Sequence, residues 1–240
     1  MKAINNKNRL KITALIFSLS ILIILGFTAC SEEANSSENI YQRPDNISTA
    51  VEAKELLNEG NMRFVSGEVL KDDLSEAKLN DLAENGQHPF VIILSCSDSR
   101  VPPEIIFDQA LGDIFSIRNA GNVVDPVALG SIEYGADHLH VPLIVVLGHE
   151  NCGAVKATVD GGEAPGSIVA IVDKIKPIYD SVKDTTTDTD DLYEICENEN
   201  IEYNIAEIEK SPIIKELKEE NKIQVIGAKY DIDTGEVVFY

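Results

Sequence analysis

Two stretches of five consecutive apolar residues, 90–94 (Phe-Val-Ile-Ile-Leu) and 143–147 (Leu-Ile-Val-Val-Leu), constrain this chain more than any other feature. They are short and show no alternation with polar positions, which suits strands covered on both faces. Strands of that kind belong to a mainly parallel sheet flanked by helices. Each run also ends in reactive side chains. The first leads into Cys96-Ser97-Asp98-Ser99-Arg100 and the second into Gly148-His149-Glu150-Asn151-Cys152-Gly153. In open α/β sheets, ligands bind beyond the carboxyl ends of the strands. Two strand ends therefore offer two thiols, an imidazole, a carboxylate and a guanidinium to one site.

The intervening pattern completes an α/β order. Thr49 with Glu52 forms a capping box, and Ala53, Leu56, Leu57, Gly60 and Phe64 follow at helical spacing. Residues 71–85 read as a second, more polar helix. Residues 104–107 read as a short turn or helix after Pro102-Pro103. A second strand spans 113–118, and 119–122 is a tight loop. Asp125-Pro126 opens a helix, with Asp as cap and Pro at its first position. Helices are expected at 153–159, 167–179, 192–209 and 212–220, with 184–191 as a solvated loop. A strand at 222–228, a turn at Asp233-Thr234-Gly235 and a short strand at 236–240 close the chain. Strands alternating with helices predict a single α/β domain with a mainly parallel central sheet.

The N-terminal end reads differently. Lys2, Lys7, Arg9 and Lys11 precede an apolar segment, 12–27, too short for a comfortable spanning helix. It ends at Gly26-Phe27-Thr28-Ala29-Cys30, similar to a bacterial lipoprotein signal with Cys30 as the lipidated residue. The expected organisation is a signal peptide at 1–29, a flexible tether at 30–46 and the domain at 47–240. That organisation implies an exported protein, lipid-anchored on the extracytoplasmic face of a bacterial membrane. The formal net charge is −21, and losing the four basic residues of 1–29 takes it to −25. So acidic a body excludes nucleic acid as a partner, since nucleic acid rewards clustered Lys and Arg.

Four cysteines, Cys30, Cys96, Cys152 and Cys196, could form two disulfides in an exported protein. Cys30 lies in the processing signal, and Cys196 reads as a structural thiol in an acidic helix. For Cys96 and Cys152 a disulfide competes with a shared metal, and the neighbouring His149 and Asp98 favour the metal. Two thiolates and one imidazole suit tetrahedral Zn2+ and leave a fourth position for water, the pattern of a catalytic site. Strand alternation would point residues 96, 98 and 100 the same way, with Arg100 holding Asp98 ionised beside the metal. Gly153 would relieve crowding at the turn, or simply begin a helix.

Taken together, Cys96-Ser97-Asp98-Ser99-Arg100-Val101-Pro102, Arg118-Asn119-Ala120-Gly121-Asn122 and Gly148-His149-Glu150-Asn151-Cys152-Gly153 resemble the β-class carbonic anhydrases. Glu59-Gly60-Asn61-Met62-Arg63-Phe64-Val65-Ser66-Gly67 and Gly227-Ala228-Lys229-Tyr230-Asp231 are similar to the same family. The resemblance implies one Zn2+ per subunit on Cys96, His149 and Cys152, with Asp98 and Arg100 as the catalytic dyad. It implies Gln87 as a substrate-binding residue, with Gly153 assigned to the substrate side. It allows Asp98 to become a fourth zinc ligand in a closed state. The implied reaction is reversible hydration of carbon dioxide to bicarbonate and a proton by a zinc-bound hydroxide that Asp98 orients. The implied assembly is a homodimer or higher oligomer, with N-terminal helices wrapping the neighbour. His88, His138 and His140 are the remaining proton-shuttle candidates, although surface or packing roles suit them better. The competing readings are a carbon disulfide or carbonyl sulfide hydrolase on the same scaffold, and a non-enzymatic zinc-binding lipoprotein.

Overall fold

The structure is a computed structural model that describes residues 40–44 and 46–240. The expected signal segment, the lipidated Cys30 and most of the tether lie outside the described residues. Five strands form one sheet: β1 (Val91–Cys96), β2 (Ile114–Asn119), β3 (Leu143–His149), β4 (Gln224–Tyr230) and β5 (Val237–Phe239). Their order is β2-β1-β3-β4-β5. The first four run parallel, and β5 is antiparallel to β4. The expected mainly parallel α/β architecture is therefore present.

The strand patterns follow from position in the sheet. β1 and β3 lie inside it, and every residue of both is buried. Alternate side chains of these strands enter different cores. On one face, Ile93 and Val145 meet Ala53 and Leu57 of α1 (Ala50–Ser66), together with Phe107. On the other, Ile92, Ile144 and Val146 meet α4 (Pro126–Asp137), α7 (Thr189–Ile208) and α8 (Pro212–Glu219). β2, at the edge, is only partly buried. The remaining helices are α2 (Glu76–Asn85), α3 (Pro103–Ile106), α5 (Gly153–Asp160) and α6 (Ile168–Val182). Among the described residues no helix is long and apolar enough to cross a membrane.

Local chemistry sets the helix ends. The Thr49–Glu52 capping box forms reciprocally, and Gly67 closes α1 in the left-handed conformation. Asp125 caps α4 with Pro126 behind it. Several boundaries differ from expectation, three of them with a clear local cause. Residues 71–75 are not helical, because Ser75 takes the N-cap position of α2. The stretch 189–191 joins α7 rather than the loop, because Asp188 accepts from the amides of Asp190 and Asp191. The tether does not stay free to residue 46. Tyr41 N–H donates to the Lys71 carbonyl at 2.9 Å, and Arg43 pairs with Asp113 at 3.2 Å, so the compact unit begins at Ile40.

Strand order also places the site. From β1 the chain proceeds to β2 on one side, and then to β3 on the other. The loops leaving β1 and β3 therefore diverge to opposite sides and open a crevice between their carboxyl ends, the position where α/β sheets bind ligands. Cys96 is the last residue of β1 and His149 the last of β3.

Candidate metal centre

β1 delivers Cys96 and β3 delivers His149, while Cys152 is the N-cap residue of α5, three positions further on. Their donor atoms all lie within 4.8 Å of one another, and all three residues are buried. Both thiols are free, which removes the disulfide reading. His149 Nδ1 lies 2.8 Å from the Glu150 carbonyl. That contact makes Nδ1 the donor and leaves Nε2 with a lone pair. Nε2 is buried without a partner, on the residue that shares the cluster with the sulfurs. An imidazole fixed through one nitrogen with the other unpaired is the arrangement of a metal-ligating histidine. Two sulfurs and one such nitrogen match a zinc site that keeps an open position.

Cys96 Sγ also accepts from the amides of Asp98 and Gly121, each at 3.4 Å. Gly121 has φ 78°, a left-handed backbone that favours glycine, and a Cβ there would crowd the tip of Ile175 at 2.8 Å and Ala154 Cβ at 3.1 Å. The hydrogen bond from Cys152 lowers the Cys96 thiol well below its ordinary range. The same contact and burial raise Cys152. Burial opposes an imidazolium at His149, but the adjacent Cys96 sulfur outweighs it and the net shift is upward. A dication would draw all three into their deprotonated, ligating forms.

Asp98 and Arg100 meet by a different route from the one expected. β1 ends at Cys96, so strand alternation does not align residues 96, 98 and 100. Residues 97–101 turn, with the Val101 amide donating to the Asp98 carbonyl at 3.0 Å. Within that turn Asp98 Oδ1 accepts from the Arg100 amide at 2.9 Å and from Nε at 3.0 Å, and Oδ2 accepts from Nη2 at 2.8 Å. This two-pronged pairing, strongest through the side-chain hydrogen bonds, holds the Asp98 carboxyl down at about 2. Asp98 is thus committed to Arg100 and is not among the grouped metal donors.

The sequence profile of the family described as Carbonic anhydrase matches residues 91–237. Carbonic anhydrase 2 of Mycobacterium tuberculosis is 39% identical over 193 residues, covering 78% of this chain and 91% of its own length. The carbonic anhydrase of Mycolicibacterium smegmatis is 48% identical over 134 residues, covering 54% of this chain and 65% of its own. Among solved structures, a tetrameric β-carbonic anhydrase of Sordaria macrospora superposes with a TM-score of 0.64 at 28% identity, over 68% of this chain and 86% of its own. The chain belongs to the β-class carbonic anhydrases. A Coccomyxa β-carbonic anhydrase in complex with acetazolamide is also similar, with a TM-score of 0.60 and 29% identity over 68% of this chain and 78% of its own. Zinc is the cofactor of this class, and the Cys96, His149 and Cys152 donors are suited to it.

Five of the residues singled out from the β-carbonic anhydrase motifs come together: Cys96, Asp98, Arg100, His149 and Cys152. Gly153 adjoins them, following Cys152 at the start of α5, and one residue does not join them within one chain. Gln87 is exposed in the segment leading into β1, at the opposite end of that strand from Cys96. Gly153 relieves no crowding in the chain, because a Cβ built there would meet nothing within 4 Å. The other histidines lie elsewhere. His88 contacts the Asn85 carbonyl at 3.1 Å, His138 stacks on Tyr134 at 5.1 Å, and His140 lies in the loop before β3.

Sequence reasoning missed the residues that brace the loops. Arg118 of β2 donates to the carbonyls of Cys96 at 3.1 Å and Asp98 at 2.7 Å, clamping the turn that carries the dyad. Asn119 closes its own loop by bonding both the amide and the carbonyl of Val123 at 2.8 Å. Both sit in the Arg118-Asn119-Ala120-Gly121-Asn122 motif, and its polar residues beside an edge strand were the available signal.

Proposed function

We propose that this chain catalyses the reversible hydration of carbon dioxide to bicarbonate and a proton, with Asp98 and Arg100 as the working side chains. One observation carries the reading: three converging metal donors lie beside a carboxylate whose two oxygens are both occupied by one guanidinium. Cys96, His149 and Cys152 would hold zinc, which would supply a Lewis acid able to make a water nucleophilic near neutral pH. Asp98 keeps acceptor lone pairs beyond those Arg100 uses, and as an ionised carboxylate it can take a hydrogen bond from the nucleophile. Accepting that hydrogen bond would aim the nucleophile's free lone pair at the carbon of carbon dioxide. Arg100 keeps Asp98 ionised and directed, and Arg118 holds the backbone of the same turn. Because Arg100 occupies Asp98, the protein would offer a metal only the donors of Cys96, His149 and Cys152, which favours an enzyme over a passive zinc holder. Carbon dioxide hydration by the zinc-loaded protein, followed from neutral to alkaline pH, tests the proposal. Activity that rises with zinc content is the expected result, and its absence across that range overturns the reading.

We also propose a homo-oligomer. Val51, Met62 and Val65 of α1 are exposed apolar side chains, and the Sordaria relative is tetrameric. A substrate contact from Gln87 would then come from a second copy, since its own chain keeps it at the far end of β1. Sedimentation of the purified protein should give a mass of at least two chains. Export and lipidation at Cys30 complete the proposal, supported by the basic, apolar and small-residue order of residues 2–30. Fatty-acid labelling in cells should mark the protein and should vanish in Cys30→Ser.

A further inference from the structure

α7 presents an unusual buried face. Glu197, Asn200 and Asn204 recur at helical spacing and are 5%, 1% and 2% exposed. A helix face turned toward the core is ordinarily apolar, and a buried carboxylate is costly unless its hydrogen bonds are met. Here each polar side chain reaches the backbone of a loop at the metal centre. Asn200 Nδ2 donates to the Gly121 carbonyl at 2.9 Å, and the amide of Gly121 donates to Cys96 Sγ. Asn204 Oδ1 accepts from the Val124 amide at 2.7 Å. Glu197 acts on a ligand directly. Its Oε1 accepts from the backbone amide of Cys152 at 3.0 Å, and its Oε2 pairs with Lys229 of β4 at 3.4 Å. Lys229 is itself largely buried, with its side chain 13% exposed.

We propose that Glu197 is a positioning residue for the zinc site, holding the Cys152 backbone so that its thiolate meets Cys96 and His149, with Lys229 fixing Glu197 from the other side. The carboxylate is divided between two tasks. A salt bridge to Lys229 would need only Oε2, yet Oε1 is spent on the ligand's amide. Cys152 is the N-cap of α5; its carbonyl accepts from the Lys156 amide at 3.0 Å, while its own amide, which points away from that helix, is held by Glu197. The Glu197 bond therefore stops the Cys152 backbone from rotating away when the metal is exchanged. Hydrogen-bonded partners behind metal ligands change metal affinity by about 10–100-fold when removed.

This inference rests on the zinc assignment above, and its test separates the two. Zinc affinity would be measured by chelator competition in the full chain and in two double variants, Glu197→Gln with Lys229→Met and Glu197→Leu with Lys229→Met. Both variants remove the buried charges, but only the first keeps an acceptor for the Cys152 amide. The glutamine variant should hold zinc within about threefold of the parent, and the leucine variant should weaken it about 10–100-fold. Cobalt substitution gives a second readout, with the thiolate-to-cobalt absorption perturbed in the leucine variant alone. Equal zinc affinity and equal cobalt spectra in the two variants would overturn the positioning role. So would a leucine variant that fails to fold while the glutamine variant folds, since Glu197 would then be a folding residue. If the parent itself binds no zinc, the zinc assignment is what fails.

Discussion

At the scale of single residues, the question left by the motif was whether Asp98 faces the metal or Arg100. The structure pairs it with Arg100 through both carboxylate oxygens and the Arg100 backbone amide. Asp98→Ala should therefore keep its zinc while losing activity about 100-fold or more, the usual range for a lost acid–base group. Metal analysis beside the hydration assay checks this, and full activity would remove Asp98 from the mechanism. Asp113 offers a second test, away from the metal. It is 4% exposed, and burial raises its carboxyl despite the Arg43 charge and the Ala110 amide that offset burial in part. A raised carboxyl means the folded chain holds that proton more tightly than the unfolded chain. The stabilisation is therefore complete below the ordinary carboxylate range near pH 4 and is lost as pH rises through the raised value. Asp113→Asn, which cannot ionise, should gain stability relative to the parent between pH 4 and pH 7. Urea midpoints of both proteins at the two pH values would show it, and a constant difference would contradict it.

At the scale of elements, α1 depends on one close approach. A Cβ on Gly60 would lie 1.7 Å from the Phe107 carbonyl oxygen, a backbone atom that a rotamer change cannot move. Asn61, next in the helix, is buried and donates to the carbonyls of Ile106 and Gly235 while accepting from Val237, so α1 ties α3 to β5. Gly60→Ala should cost about 3 kcal/mol, at the upper end for overpacking, read as a lower urea midpoint with an unchanged slope. In sequence, Gly60 appeared as one position in an apolar stripe and as part of a motif shared with the β-carbonic anhydrases. Spacing identified the buried face of α1, but periodicity carries no distance to a neighbour. The same limit explains Asp98 and Arg100. Alternation would have aligned them on a strand, whereas β1 ends at Cys96 and a side-chain-stabilised turn brings them together.

At the scale of the whole molecule, the metal centre bridges the carboxyl ends of β1 and β3 and is walled by the cluster of Val155, Ile175 and Ile178. Zinc bound only by the folded chain adds stability by mass action, about 4 kcal/mol when free zinc is a thousandfold above its dissociation constant. The cores on both faces of the sheet do not involve the metal. Strong chelation should therefore abolish activity and lower the melting temperature while leaving the far-UV circular dichroism of an α/β fold, and zinc should restore both. Loss of secondary structure on chelation at ambient temperature would show that the sheet depends on the ion.

Much of this architecture is decided locally, and so it was legible in the sequence. Short uninterrupted apolar runs bounded by turn residues suit strands covered on both faces, and Thr49, Asp125 and Pro126 set helix ends through bonds within a few residues. Cys96, His149 and Cys152 were readable because each lies shortly after the end of such a run. Tertiary structure alone decided the bracing. Glu197 reaches Cys152 across 45 positions, Asn200 reaches Gly121 across 79, and Asn204 reaches Val124 across 80. Side-chain-to-backbone bonds of that kind have no period and no motif. They exist only once β1, β3 and β4 lie in their order and α7 crosses behind them, which is why the sequence showed there only an acidic helix with a structural thiol, while one of its faces holds the metal loops in place.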